Sequence, residues 1–158
     1  MKSITIITGI PHERERVFAF LDVMAFHERF TDHMLRDWTT VGPARGDGAR
    51  AFVTSELGPT PDPIEIEVID AVPGVRITER NVGAGGRRVA HGTYELEDLP
   101  PGGTRVSFTY EWKRAPLSER LLAPVARRIM RRAIGRALDR LADEIARADD
   151  VGGVAAAA

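Results

Sequence analysis

The chain contains no cysteine, which excludes a disulfide framework, a thiolate metal site and a cysteine nucleophile. It also contains no run of about 18 apolar residues, the length that a membrane-spanning helix requires, and its N-terminus lacks the apolar segment of a signal peptide. These absences predict a cytoplasmic protein without membrane insertion.

Motifs for covalent, metal or cofactor chemistry are missing as well. The four histidines show no close ligand spacing, and the chain has no Gly-x-Ser-x-Gly motif. Glycine-rich stretches at 42–48 and 83–86 do not lead into a helix through a Lys-Ser or Lys-Thr pair, so they predict turns. His33 lies beside Glu28 and Asp32, a pattern more typical of solvated side chains than of a catalytic cluster. We therefore expect no metal, nucleotide or other cofactor.

Lysine is nearly absent, and most of the 22 basic residues are arginines. Several of these arginines recur at helical spacing late in the chain, where nucleic acid or an anionic membrane would find a basic surface. The net charge of only −1 and the acidic residues on the same segment favour a solvated helix face without a nucleic-acid partner. The row consists of Arg128, Arg132, Arg136 and Arg140.

The C-terminal part of the chain carries apolar residues at spacings of three and four, which predicts one long helix over residues 118–147. Ser118 stands where an N-cap is expected. Pro124 is expected to tilt or separate the first turn, because it cannot donate a helical hydrogen bond. Gly135 indicates either a close backbone neighbour or space beneath the helix.

The central part of the chain alternates with a period of two residues and is divided by regularly spaced turn residues. A short strand at 3–8 and two short helices within 11–34 precede it. The pattern predicts an antiparallel meander of six strands. Their ranges are 37–41, 49–57, 64–72, 75–82, 88–96 and 105–112.

Alternation also predicts which side chains face the interior. Small residues at Ala90 and Gly92 are expected to leave space there for a ligand. The facing of Trp38 and Phe52 stays open. The inward set is Val75, Ile77, Glu79, Asn81, Ala90, Gly92, Tyr94, Leu96, Val106, Phe108, Tyr110 and Trp112, joined by Ile64, Ile66, Val68 and Arg88.

This order of elements, with the segments PHERERVF (11–18), YELE (94–97) and GGTRV (102–106), resembles the START-related helix-grip (SRPBCC) superfamily in its bacterial polyketide cyclase/dehydrase-like branch. The resemblance implies one α+β domain over residues 1–148, in which a curved antiparallel sheet of six or seven strands wraps around the C-terminal helix. It also implies a cavity that in relatives holds lipids, polyketides, hormones or other apolar molecules. We expect residues 149–158 to form a disordered tail.

Aromatic and polar residues of the inward set are the candidate ligand contacts, because they combine apolar area with a few polar tips. We expect the partner to be a hydrophobic small molecule, and the protein to be a monomer or a homodimer. The candidate wall consists of Tyr94, Phe108, Tyr110, Trp112, Asn81, Met130 and Ile134.

Acid–base catalysis on a bound carbonyl compound is the chemistry that remains once covalent and cofactor routes are removed. Its candidate residues are Glu79, Arg88 and Tyr110. Glu79 and Arg88 are expected to pair across the turn at 83–86, since a buried charge needs a partner. That pair would serve either catalysis or structure alone. Two functions follow: a cyclase- or aromatase-like enzyme, or a carrier or protein-interaction module of the same fold.

Overall fold

The protein's structure, a computed structural model, describes residues 1–150, with side chains to residue 148. It contains seven strands and four α-helices, with a 3-10 turn at Met24–Phe26. The strands are β1 Ile4–Ile10, β2 Leu35–Val41, β3 Arg50–Ser55, β4 Asp62–Val72, β5 Arg76–Gly83, β6 Arg88–Leu99 and β7 Gly103–Arg114. The helices are α1 Arg14–Leu21, α2 His27–Thr31, α3 Leu117–Leu121 and α4 Ala123–Asp150.

All seven strands belong to one antiparallel sheet in the order β1-β7-β6-β5-β4-β3-β2. Strands β2 to β7 are a meander, because each pairs with the next along the chain. The first strand instead joins the last, with Ile4 opposite Tyr110. The chain therefore crosses from one edge of the sheet to the other through α1 and α2, and the predicted α+β helix-grip architecture is confirmed.

One face of the sheet packs against the second half of α4. On β7 the alternation predicted from the sequence holds, since the aromatic residues at 108, 110 and 112 are buried together with Val106. The first half of α4 does not close onto the sheet in the same way, and Val125 and Ile129 remain exposed there. The buried side chains of α4 are Ala133, Ile134, Ala137, Leu138, Leu141, Ile145 and Ala148, with Glu144 beside them.

The start of the C-terminal helix differs from the prediction. Ser118 is not an N-cap but lies inside the short helix α3, which Pro116 precedes. A break at Leu122 separates α3 from α4. Pro124 falls in the first turn of α4, where a residue does not need its N–H for a helical hydrogen bond. The predicted separation of the first turn from the rest of the helix is therefore confirmed. Helix α4 continues to Asp150, two residues into the predicted tail of 149–158, and the rest of that tail lies outside the described residues.

The two glycines expected to make room have different surroundings. A Cβ at Gly92 would lie 2.9 Å from the Phe108 ring, so this glycine accommodates a side chain of the protein rather than a ligand. A Cβ at Gly135 would meet nothing within 4 Å, which excludes close backbone approach. Phe52 is 45% exposed and faces solvent, whereas Trp38 is half-buried on the inward side. Val75 is also exposed, contrary to its predicted inward facing.

Candidate functional site

A cavity of about 580 Å³ lies between the inward face of the sheet and the helices α2, α3 and α4. This volume falls within the range of small-molecule sites, roughly 300–1,000 Å³. Strands β2 to β7 supply one wall and the first half of α4 supplies most of the other, because this half leaves the sheet uncovered. All nine predicted site residues line it: Glu79, Asn81, Arg88, Tyr94, Phe108, Tyr110, Trp112, Met130 and Ile134.

The inner polar group of the cavity is an ion pair between His27 and Glu79. Nδ1 of His27 lies 3.1 Å from Oε1 of Glu79, and both side chains are less than a tenth exposed. His27 is the first residue of α2, and Glu79 lies on β5 opposite Gly92. Oε1 accepts no well-aligned hydrogen bond from the described part of the chain, so the attraction is mainly between charges.

The carbonyl oxygen near Nε2 and the carboxylate near Nδ1 both favour the charged form of His27. Nε2 lies 2.6 Å from the carbonyl oxygen of Leu21, the last residue of α1, and must therefore donate to it. Nδ1 faces the Glu79 carboxylate. In a neutral ring that donates from Nε2, Nδ1 would carry a lone pair directed at this carboxylate, which is unfavourable. Burial alone would lower the pKa of His27, but the charge of Glu79 and these contacts raise it overall. The C-terminal end of α1 also favours a cation here.

Tyr94 and Trp38 complete this inner end. Their rings lie 6.0 Å and 6.5 Å from the His27 ring, both in edge-on arrangements. Burial, and then the charge of Glu79, raise the pKa of Tyr94 well above its usual value, so its hydroxyl stays protonated and able to donate. Nε1 of Trp38 is buried with no acceptor among residues 1–148. The inner end therefore combines one carboxylate with hydroxyl and indole donors.

The outer polar group lies at the cavity mouth and contains Arg88. Its Nη2 lies 2.8 Å from Glu119 on α3, and its Nη1 lies 2.8 Å from Asp62 at the start of β4. A Cβ at Gly83 would lie 2.8 Å from Nη1 of Arg88, so the absence of a side chain at Gly83 leaves room for the guanidinium. The predicted pairing of Glu79 with Arg88 is thus wrong, because each has a nearer partner of opposite charge.

Tyr110 and Trp112 lie on β7 near the outer group. Their rings meet edge to face with centroids 4.9 Å apart. Burial raises the pKa of Tyr110 to about 12, although the neighbouring charge of Arg88 acts in the opposite direction. Tyr110 is therefore neutral near pH 7 and can donate a hydrogen bond to a ligand oxygen.

His33 and Arg140 join α2 to α4 and do not line the cavity. Arg140 contacts the Asp32 carboxylate and donates to the carbonyl oxygen of Arg29 at 3.0 Å, so it does not belong to the solvated arginine row predicted from the sequence. Nε2 of His33 lies 2.9 Å from the carbonyl oxygen of Ala133. Within the described ranges, no three histidine or acidic side chains cluster as metal ligands.

The family model described as polyketide cyclase/dehydrase and lipid transport matches residues 8–146 of this chain. The chain belongs to this family. The match covers the end of β1, all of β2 to β7 and nearly all of α4, and so includes the strands and the long helix that enclose the cavity. A comparison with curated proteins gave no match.

Solved structures share the fold of this family member at low sequence identity. TTHA0849 from Thermus thermophilus has a TM-score of 0.72 and 18% identity over 93% of this chain and 99% of its own. A conserved protein from Geobacillus kaustophilus has a TM-score of 0.68 and 18% identity over 93% and 97%. DynU16, from the dynemicin biosynthetic locus, has a TM-score of 0.62 and 16% identity over 96% of this chain but 48% of its own.

Sequence reasoning missed three charged residues of this polyketide cyclase/dehydrase-family site: His27, Asp62 and Glu119. The spacing of His27 from the other histidines indicates no metal site and so gives no role for it. Its spacing of three and four to Phe30 and Thr31, both buried on the same face of α2, is the local signal that places it inside. Asp62 and Glu119 gave no such signal, because their partner Arg88 is distant in sequence from both.

No helix in the described part of the chain is long and apolar enough to cross a membrane.

Proposed function

We propose that the protein binds a hydrophobic small molecule, ring-bearing or acyl, whose polar end lies at the His27–Glu79 pair. The observation that carries this proposal is the cavity of about 580 Å³ with an aromatic and aliphatic wall and one buried ion pair at its inner end. An apolar wall supplies most of the affinity, and a few polar groups fix the orientation of the ligand.

Family membership supports the same class of ligand. The family description names polyketide cyclase/dehydrase activity and lipid transport, and both involve apolar molecules. DynU16, which shares the fold, comes from a biosynthetic locus. Nε1 of Trp38 is buried and has no acceptor in the described part of the chain, so it adds a donor that a ligand oxygen at the inner end would satisfy after a small shift.

Filling the cavity is expected to abolish ligand binding. Ala137 is buried on α4 and lines the cavity, so Ala137→Phe places a ring in the ligand's space. The only two tryptophans, Trp38 and Trp112, both line the cavity and report on its occupancy by fluorescence. We expect anilinonaphthalene sulfonate, a ring-bearing probe, to quench them in the wild type and at least roughly tenfold more weakly in the variant.

Ala146→Phe is the matched control, because Ala146 is exposed on the same helix and does not line the cavity. It should bind the probe as the wild type does. Native mass spectrometry of the purified protein then tests for a co-purifying apolar molecule. Equal binding by both phenylalanine variants, or no bound molecule and no probe binding at all, would favour a protein-interaction module instead.

We further propose that the bound molecule is a poly-β-ketone and that Glu79 catalyses its cyclisation. In this step the Glu79 carboxylate takes a proton from a methylene between two carbonyls, and the resulting carbanion attacks a ketone carbon to form the ring bond. The proton returns from Glu79 to the new alkoxide oxygen, to which the Tyr94 hydroxyl donates a hydrogen bond. The product is an isomer of the substrate, and no oxidant or cofactor enters.

The other polar residues have separate parts in this proposal. His27 positions Glu79 and balances its charge, without contacting the substrate. Tyr110 donates to an oxygen at the outer end of the substrate. Arg88 has two carboxylate partners and holds the cavity mouth together. Its charge opposes the rise in the pKa of Tyr110 that burial causes.

Glu79→Gln is expected to reduce turnover of a poly-β-ketone at least about a hundredfold, because the amide cannot accept the proton. Binding, measured by the tryptophan signal, should change by less than about tenfold, since glutamine keeps the shape of the side chain. Glu97→Gln, at an exposed position on β6, is the control and should leave both unchanged. If turnover falls only in proportion to binding, Glu79 is not the base. If the wild type binds the poly-β-ketone without converting it, the protein is a carrier.

A further inference from the structure

The cavity mouth is surrounded by exposed apolar side chains on α3 and the first turns of α4. We call this surface the mouth patch: Leu117, Leu121, Leu122, Val125 and Ile129, whose exposed fractions are 73%, 83%, 61%, 55% and 40%. Exposed leucines that occur singly are ordinary, but five large apolar side chains within thirteen residues mark an interaction surface.

The mouth patch is continuous with the cavity. Leu122, Val125 and Ile129 are exposed and also line the cavity, so they belong to its opening. Residues 57–61, between β3 and β4, line the cavity across from them. A partner covering the mouth patch therefore also covers the route by which a ligand enters.

The charge around the mouth patch is strongly positive. Residues 113–132 hold seven basic residues and one acidic residue, Glu119, and Arg88 already neutralises that one. The net charge of this segment is thus +6 in a chain whose total is −1. Five of its arginines are exposed and have no ion-pair partner among residues 1–148: Arg114, Arg120, Arg128, Arg131 and Arg132.

We propose that the mouth patch docks on the surface of an anionic lipid bilayer, with the cavity mouth facing the bilayer. Leucine and valine side chains flanked by arginines are the composition of helices that lie in the interface of a membrane, where the arginines meet lipid phosphates. A second copy of the chain is a poorer partner, because two surfaces of +6 would repel each other. Nucleic acid is poorer too, since phosphate contacts leave the leucines in water.

Co-sedimentation with lipid vesicles tests this docking on the full chain. We expect binding to vesicles of phosphatidylcholine and phosphatidylglycerol mixed in roughly equal amounts, and at least about tenfold weaker binding to pure phosphatidylcholine. Raising the salt concentration above ~0.15 M should weaken the binding without removing it, because the apolar contribution is not screened.

Two double variants separate the apolar contribution from the charge. Leu117→Ser with Leu121→Ser removes exposed side chains that do not line the cavity, so it should weaken vesicle binding roughly tenfold or more and leave probe binding in the cavity unchanged. Its control is Ile7→Ser with Phe52→Ser, at exposed positions on β1 and β3.

Arg128→Glu with Arg132→Glu should likewise weaken binding at least about tenfold. Its control, Arg36→Glu with Arg105→Glu, changes the net charge equally at exposed sites on β2 and β7. Absence of binding to the anionic vesicles would overturn the proposal, as would equal losses in the variants and their controls. A dimer in light scattering that the serine variant dissociates, without vesicle binding, would instead make the mouth patch an interface between copies.

Discussion

Replacement of His27 by alanine is expected to lower the free energy of unfolding by about 3–5 kcal/mol. The substitution leaves the Glu79 carboxylate in the interior without its counter-charge, and the carbonyl oxygen of Leu21 loses its donor. It also removes a ring that packs against Phe30 and Tyr94. Denaturant unfolding of the wild type and the variant near pH 6 measures the difference.

A double variant tests whether the loss comes from the unpaired charge. His27→Leu with Glu79→Leu removes both charges, and we expect it to be more stable than His27→Ala, since apolar pairs of similar volume replace buried ion pairs at little cost. His91→Ala, on the outer face of β6, is the control and should change stability by less than about 0.5 kcal/mol. If the double variant is no more stable than His27→Ala, the ion pair is not the cause.

The stability from His27 should also depend on pH. Its pKa is raised in the folded protein, so its contribution is fully present below the unfolded-state value of about 6.5 and is lost as the pH rises through the folded-state value. Relative to the double leucine variant, the wild type should therefore lose stability as the pH increases from about 6 to about 9. A difference that is constant over this range would show that His27 is not charged.

Leu141→Ala is expected to lower the free energy of unfolding by about 2–5 kcal/mol, because it opens a space in the contact between α4 and the sheet. Leu141 is fully buried and does not line the ligand cavity, so its loss acts on packing alone. Leu121→Ala removes the same atoms from a side chain that is 83% exposed and should cost less than about 0.5 kcal/mol.

The two leucine variants compare the packed and the open parts of the C-terminal helices. Chemical denaturation of both in the same buffer gives the difference directly. Comparable losses at Leu121 and Leu141 would mean that the mouth patch is covered in solution, because an exposed side chain has no packing to lose.

Helices and strands were predictable from the sequence wherever they depend on the spacing of apolar residues within one segment. The two-residue alternation of 105–112 predicted β7 and the face that it buries. The helical spacing of 118–147 predicted α4 and the buried face of its second half, but the apolar residues at the start of that spacing are exposed: Leu121, Leu122, Val125 and Ile129. Pro124 similarly indicated the break near Leu122, because the backbone chemistry of proline acts within one turn. The wrong N-cap at Ser118 shows the limit of such signals, since Ser, Pro and Gly all fit a helix start.

Within the site, the sequence by itself determined the inward facing of residues on strands β5 to β7, and the tertiary structure decided which residues meet. Alternation placed Glu79, Arg88 and Tyr110 inside, but the partner of Glu79 is a histidine on another element and the partners of Arg88 lie on β4 and α3. The face on which a side chain lies depends on its position among neighbouring residues of the same strand or helix. The ion pairs of the site join residues distant in the chain, so only the packing of α1, α2 and α3 against the sheet brings them together.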